Sequence, residues 1–282
     1  TIGTVREVWR YPVKSMGGEQ VPRVTLGALG LPGDRGWALR DEAAGEIRGA
    51  KKLPSLMLCS ARYVAEPGTG AVPAAEVTLP DGTTFRTDAP DASERLSAFL
   101  GRAVTLWPLQ PATSHDHYRR GLPDDPDMMA ELRTIFGRLE DEPMPDLSVF
   151  PAEIFEYTSP LGTYFDAFPL HVLTTASLDA LGPREQFDTR RFRPNVLIET
   201  PAGVTGTVEA AWSGRQVRIG AAVIEVKMPT VRCSMPTQAQ PGLRKDPSVL
   251  RAIVRSADQN LGAYATIVSA GSVAVGDPVE LV

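Results

Sequence analysis

The alternation of apolar and polar positions predicts short strands separated by turn signals, with a few helices between them. "TVREVWRYPV" near the start has the two-residue period of a strand, and "GALGLPGDRG" is a Gly/Pro-rich turn. "WALRDEAAGEIRGA" reads as a hairpin around Ala43–Gly45. "AEVTLPDGTTFRT" is a clearer one, with Asp81-Gly82 at its turn. "DASERLSAFLGR" repeats apolar residues at helical spacing (Leu96, Phe99, Leu100) behind Asp91 as N-cap.

Residues 111–160 break this rhythm. They are polar and rich in Pro and Asp at both ends, and a helix is predicted in the middle. Met128, Met129, Leu132, Ile135, Phe136 and Leu139 recur on its face, which reads the methionines as core filler. Strand-like runs resume with "FPLHVLTT", which enters a helix capped at Thr174 or Thr175 and ended by Gly182-Pro183. "NVLIET", "RQVRIG" and "AVIEVKM" follow as strands. "DPSVLRAIVRSADQN" is a helix with Asp246 as N-cap and Val249, Leu250, Ile253 and Val254 on its buried face. Short strands in "AYATIVSAGSVAVGDPVELV" close the sequence. The expected fold class is mainly β with some α. It comprises an N-terminal β-barrel-like module over 1–110, a helical connection over 111–160 and a second barrel domain over 161–282.

Composition adds exclusions. The 282 residues are 43% hydrophobic and 22% charged, with a net charge of −5. That balance argues against nucleic acid or an anionic membrane as a main partner. No apolar run is long enough to span a bilayer, and the first residues lack a secretory core. Two cysteines make no disulfide framework in a chain of this length, so a reducing, cytoplasmic setting is expected.

Against this acidic background, positive charge gathers at "YPVKS" (Lys14), "LPGDRG" (Arg35) and "TRRFRPN" (Arg190, Arg191, Arg193), with Arg232 beside Cys233 in "VRCSMPT". Pro194 biases Arg193 toward extended backbone, which would set Arg191, Arg193 and Asn195 on one side and Phe192 on the other. Arginine forks bind phosphate or carboxylate at two points. Converging, these residues would make an anion pocket beside a thiol. Taken singly, each arginine reads more readily as a surface residue, and Cys233 as a small buried hydrophobe. His115 and His117 would share a face of an extended segment, but no nearby carboxylate or cysteine completes a metal site. His171, in an apolar run, reads as a satisfied core histidine. Cys59, among Leu56 and Leu58, reads as structural.

The pieces "YPVKSMGG", "GLPGDRGWAL", "FPLHVLTTASL", "RFRPNVLIE", "VRCSMPT" and "GSVAVGDPVELV" resemble, in that order, the MOSC family, named for the C-terminal domain of molybdenum cofactor sulfurases. The resemblance covers nearly the whole chain and is strongest to amidoxime-reducing components. It implies a molybdenum cofactor (Mo-molybdopterin) with Cys233 as its catalytic thiolate and metal ligand. It also implies that Lys14, Ser15, Arg35, Arg193, Asn195 and Arg232 hold the pterin. A CxxC is then unnecessary, because the pterin supplies the other sulfurs. The sequence departs from the eukaryotic reductases at Ala167 and Phe168, where those carry polar residues. It shows no cysteine cluster for an iron–sulfur centre, no dinucleotide fingerprint and no PLP-dependent desulfurase domain. The activity so implied is reduction of N-hydroxylated, or N- or S-oxygenated, small molecules with a separate electron-donor protein. Two other readings stay open. One is a cofactor or sulfur carrier with a persulfide on Cys233; the other is a MOSC scaffold turned to another small acidic ligand.

Overall fold

The computed structural model describes residues 1–68 and 70–282. Among these, seven strands close a barrel in the order Val196–Glu199, Leu170–Thr174, Asn260–Ser269, Ala222–Val231, Gln216–Ile219, Pro278–Leu281 and Gly3–Arg10. Closure comes from Gly3–Arg10 pairing antiparallel with Val196–Glu199. Leu170–Thr174 and Val196–Glu199 are parallel, a pairing that requires a crossover. The helices Thr175–Leu181 and Thr189–Phe192 supply it. Thr174 caps the first of them, its hydroxyl accepting from the Ser177 amide at 3.2 Å. Alternate side chains of these strands fill the barrel; Val8, Val172, Val196, Ile224 and Ala265 are all essentially inaccessible.

The rest of the first half forms two three-stranded sheets. One joins Glu46–Arg48, Trp37–Asp41 and Val104–Pro108; the other joins Ser60–Tyr63, Ala75–Thr78 and Thr84–Arg86. Both expected hairpins are present. Bridges from Val13 to Trp37 and from Gly17 to Ser60 tie the two sheets to the segment leaving the first strand. With the helix Ala92–Leu100 they enclose a second core around Val13, Leu39, Leu56, Cys59, Val77 and Leu96. The mainly-β fold with an N-terminal barrel module is therefore present. The first strand belongs physically to the other barrel, so the two halves are joined by hydrogen bonds as well as by sequence.

Between them lies the helix Met128–Phe136, capped by Asp127, whose carboxylate accepts from the Met129 amide at 2.9 Å and the Ala130 amide at 3.2 Å. Its methionines are not core filler: Met128 and Met129 are 56% and 51% exposed. The helix lies over a cavity, so Leu132, Ile135 and Phe136 line that space instead of a closed core. The helix Ser248–Ser256 buries Val249, Leu250 and Ile253 as expected, while Val254 is only half-buried. Its cap position is Pro247, with Asp246 one residue earlier accepting from the Ser248 amide at 3.0 Å. No helix among the described residues is long and apolar enough to cross a membrane.

Candidate functional site

A cavity of about 400 Å³ opens between the barrel, the first-half sheets and residues 120–158. Lys14, Ser15, Arg35, Arg193, Asn195, Arg232 and Cys233 all line it, although they lie far apart in sequence. Cys233 follows the end of the strand Ala222–Val231. It is partly exposed and packs against a small cluster of Ala50, Met57 and Met235.

The segment after the first strand sets the first two residues. Ser15 has left-handed backbone (φ 71°), and its hydroxyl accepts from the Ala50 amide at 2.9 Å. Gly49 makes room for this: a Cβ there would lie 2.6 Å from the Ser15 oxygen. The Lys14 ammonium donates to the Tyr164 carbonyl at 2.7 Å and to Asp166 at 3.0 Å. Burial lowers the Lys14 pKa, and the attraction of Asp166 only partly offsets it. Burial alone would raise the Asp166 carboxyl, but Lys14, Lys51 and Arg35 outweigh it and hold that group well below its ordinary value.

Asp34 ties the next elements together. One of its buried carboxylate oxygens accepts from the Tyr11 amide at 2.8 Å; the other accepts from Arg35 and, at 3.0 Å, from Asn195 Nδ2. Asn195 also accepts from the His171 amide at 3.1 Å, which links the parallel strand pair to the turn at residues 31–36. The Tyr11 ring lies between two guanidiniums, with its centre 5.3 Å from Arg35 and 4.2 Å from Arg193. Cationic faces at such distances are attracted to an aromatic ring, more strongly when desolvated.

Unlike Lys14 and Arg35, Arg193 and Arg232 have no carboxylate partner among the described residues. Arg193 donates to the Met16 carbonyl and leaves its second terminal nitrogen without a hydrogen bond. Arg232 donates to the Phe192 carbonyl at 3.0 Å, and its Nε is also unpartnered. Both are more than nine-tenths buried. Burial, followed by repulsion from Arg35, lowers the Arg193 pKa to about 10, still cationic at neutral pH. Buried charge without compensation is costly, so the arrangement suits an anion that completes it.

The extended reading of "RFRPN" is corrected. Asp188 caps the turn Thr189–Phe192, accepting from the Arg190 amide at 2.9 Å, and Arg193 ends it with left-handed backbone (φ 55°, ψ 47°). The proline disfavours right-handed helix at Arg193, and a left-handed terminus satisfies that restriction as well as a strand does. Arg191 consequently points away from the other two, donating to the carbonyls of Gln186, Pro236 and Arg244. Arg190 pairs with Asp188 at 2.8 Å. His115 and His117 sit on a helical turn, with His117 Nε2 2.8 Å from the Tyr164 hydroxyl. No cluster of three metal-ligating side chains occurs among the described residues.

Sequence reasoning missed Tyr11, Asp34 and Asp166. Only Asp34 carried a signal, as the neighbour of Arg35 in "GDRG". His171 is not a satisfied core histidine: it lines the cavity, and its Nε2 makes no hydrogen bond. Burial and then the nearby Arg232 push its pKa down to about 3, so the ring is neutral.

The β-barrel thus brings two guanidiniums without carboxylate partners and a thiol to one cavity. The chain belongs to the MOSC family: residues 162–280 match the MOSC domain, and residues 2–106 match the MOSC N-terminal beta barrel domain. Among curated relatives, mitochondrial amidoxime-reducing component 1 of Mus musculus is 26% identical over 99% of this chain and 82% of its own length. The Homo sapiens protein of the same name is 25% identical over 99% and 83%. Among solved structures, the YUAD protein from Bacillus subtilis aligns with 100% of this chain and 96% of its own, at 10% identity and a TM-score of 0.44.

Proposed function

We propose that the cavity binds a molybdenum cofactor and that the chain is an oxidoreductase reducing N-hydroxylated small molecules. One observation carries the reading: two buried guanidiniums without carboxylate partners, Arg193 and Arg232, line the same cavity as the thiol of Cys233. Family membership and the full-length similarity to amidoxime-reducing components support it.

The residues present fit such a group. Arg193 and Arg232 have hydrogen-bonding capacity to spare for the anionic pterin, with Lys14, Arg35, Ser15 and Asn195 beside them. Cys233 would be the protein's ligand to the metal, a soft thiolate matched to molybdenum. When bound, the cofactor supplies two-electron oxygen-atom chemistry. The protein's part would be to hold the cofactor with residues from both halves of the chain, Lys14, Ser15 and Arg35 from the first and Arg193, Asn195, Arg232 and Cys233 from the second. In the net reaction the N–O bond breaks, and two electrons and two protons leave the amine-level product and water. The electrons are expected from a separate donor protein.

Protein made in molybdate-fed cells, given benzamidoxime and a chemical reductant, should form benzamidine, and the same protein with NADH alone should form none. Bound molybdenum without benzamidine formation would contradict the reductase reading in favour of a cofactor or sulfur carrier.

A further inference from the structure

The cavity has two chemically different ends. Besides the cationic residues, residues 120–158 give the cavity an apolar wall through Leu122, Met128, Leu132, Phe136, Phe150 and Phe155. Three of the cations on this side are already engaged, while Lys51, which also lines the cavity, makes no side-chain hydrogen bond or ion pair among the described residues. Arg48 pairs with Glu46 at 2.9 Å and Asp124 at 2.5 Å, and Lys52 pairs with Asp124 at 3.0 Å and also with Glu131. Arg120 donates to the carbonyls of Ile154 and Tyr157 at 2.8 and 3.0 Å. Leu122, Met128 and Phe155 are nonetheless 87%, 56% and 56% exposed. Single exposed apolar side chains need no explanation, but several gathered at the mouth of one cavity mark a binding surface. Methionine and unbranched apolar walls also adapt to varied shapes.

We propose that this wall binds the apolar body of the substrate, so that the chain prefers N-hydroxylated compounds carrying an uncharged aryl or alkyl group over small hydrophilic ones. The proposal rests on the reductase reading of the same cavity. With the polar head of the substrate directed at the cationic end, its apolar body would displace water from the wall. A charged tail would find Arg48, Lys52 and Arg120 already engaged, with Lys51 as its available counter-ion, and would lose its hydration against the apolar wall. A contact made equally in the ground state and the transition state lowers KM and leaves kcat unchanged. Each buried methylene is worth about fourfold.

The test compares benzamidoxime, 4-butylbenzamidoxime and 4-carboxybenzamidoxime on the molybdenum-loaded protein with a chemical reductant. The expected kcat/KM for the butyl compound is at least about tenfold above that for benzamidoxime, carried by KM, and the carboxylate should fall well below the butyl compound. Phe155→Ser and Met128→Ser, which alter exposed side chains, should each compress the butyl advantage severalfold. Calorimetric binding of the same compounds without reductant reads the wall independently of turnover. If nothing is turned over yet the butyl compound still binds more tightly, and less so in Phe155→Ser, the reductase reading fails and the wall stands. A flat series in both turnover and binding overturns the proposal and leaves a partner protein as the wall's cover. A butyl advantage untouched by either variant also overturns it.

Discussion

The Tyr11 ring holds the Arg193 guanidinium 4.2 Å from its centre, while the Tyr11 hydroxyl donates at 3.0 Å to the carbonyl of Pro194. One side chain just past the first strand thus holds the guanidinium of a distant cavity arginine and the backbone of the proline that follows it. Tyr11→Leu should remove both contacts and the ring contact to Arg35 as well. A loss of roughly 1–3 kcal/mol in urea unfolding is expected, from a desolvated cation–π contact and a buried hydrogen bond. Tyr11→Phe should keep the ring contact and lose less.

Asp34 is the second tie between the halves. Asp34→Asn would leave Arg35 buried without its counter-charge while keeping the side chain's shape. Removing one partner of a buried pair typically costs about 3–5 kcal/mol. Urea titration should show a loss near that range, and a loss below about 1 kcal/mol would mean that Asp34 is not the clamp described above.

His171 makes a pH prediction. Its pKa is about 3 in the fold, against an ordinary value near 6.5. The unfolded chain therefore takes up a proton below about pH 6.5 that the folded chain refuses. The stability from this group is fully present above that pH and falls as the pH drops toward about 3, by at most ~1.4 kcal/mol per pH unit. His171→Gln should flatten the fall in unfolding free energy between pH 6.5 and 4.5. An unchanged slope would contradict the assignment.

The two cysteines should separate by reactivity. Cys59 is fully buried, and burial pushes its thiol up to about 12, whereas Cys233 is partly exposed in the cavity. In metal-free protein, a thiol reagent should modify one cysteine per folded chain, at Cys233, and the second only in denaturant. Rapid labelling of folded Cys233→Ala would contradict this.

Much of the fold was legible in the sequence because it is local. The Asp81-Gly82 hairpin, the Thr174 cap and the buried face of Ser248–Ser256 each follow from residues a few positions apart. The convergence of Lys14, Arg35, Arg193 and Arg232 was legible only through resemblance, since nothing in spacing joins positions so distant. Arg193 misled because a residue before proline has two escapes from right-handed helix, and the deciding signal was Asp188 capping a single turn. Met128 and Met129 misled because helical periodicity shows which side chains share a face and not whether that face meets a core or a cavity. Asp34 and Asp166 were invisible for a related reason: a carboxylate's role depends on long-range partners that only the folded chain supplies.

The central claim is that Cys233 ligates a metal inside the cationic cavity. The most direct measurement is the molybdenum content, with pterin measured alongside, of wild-type protein and Cys233→Ser made in molybdate-fed cells. The hydroxyl nearly matches the thiol in size but stays protonated and is a hard donor. The wild type should carry close to one molybdenum per chain. The variant should lose most of it while keeping the fold and some pterin held by Lys14, Arg35 and Arg193. Equal molybdenum in both proteins, or none in the wild type, would contradict the account.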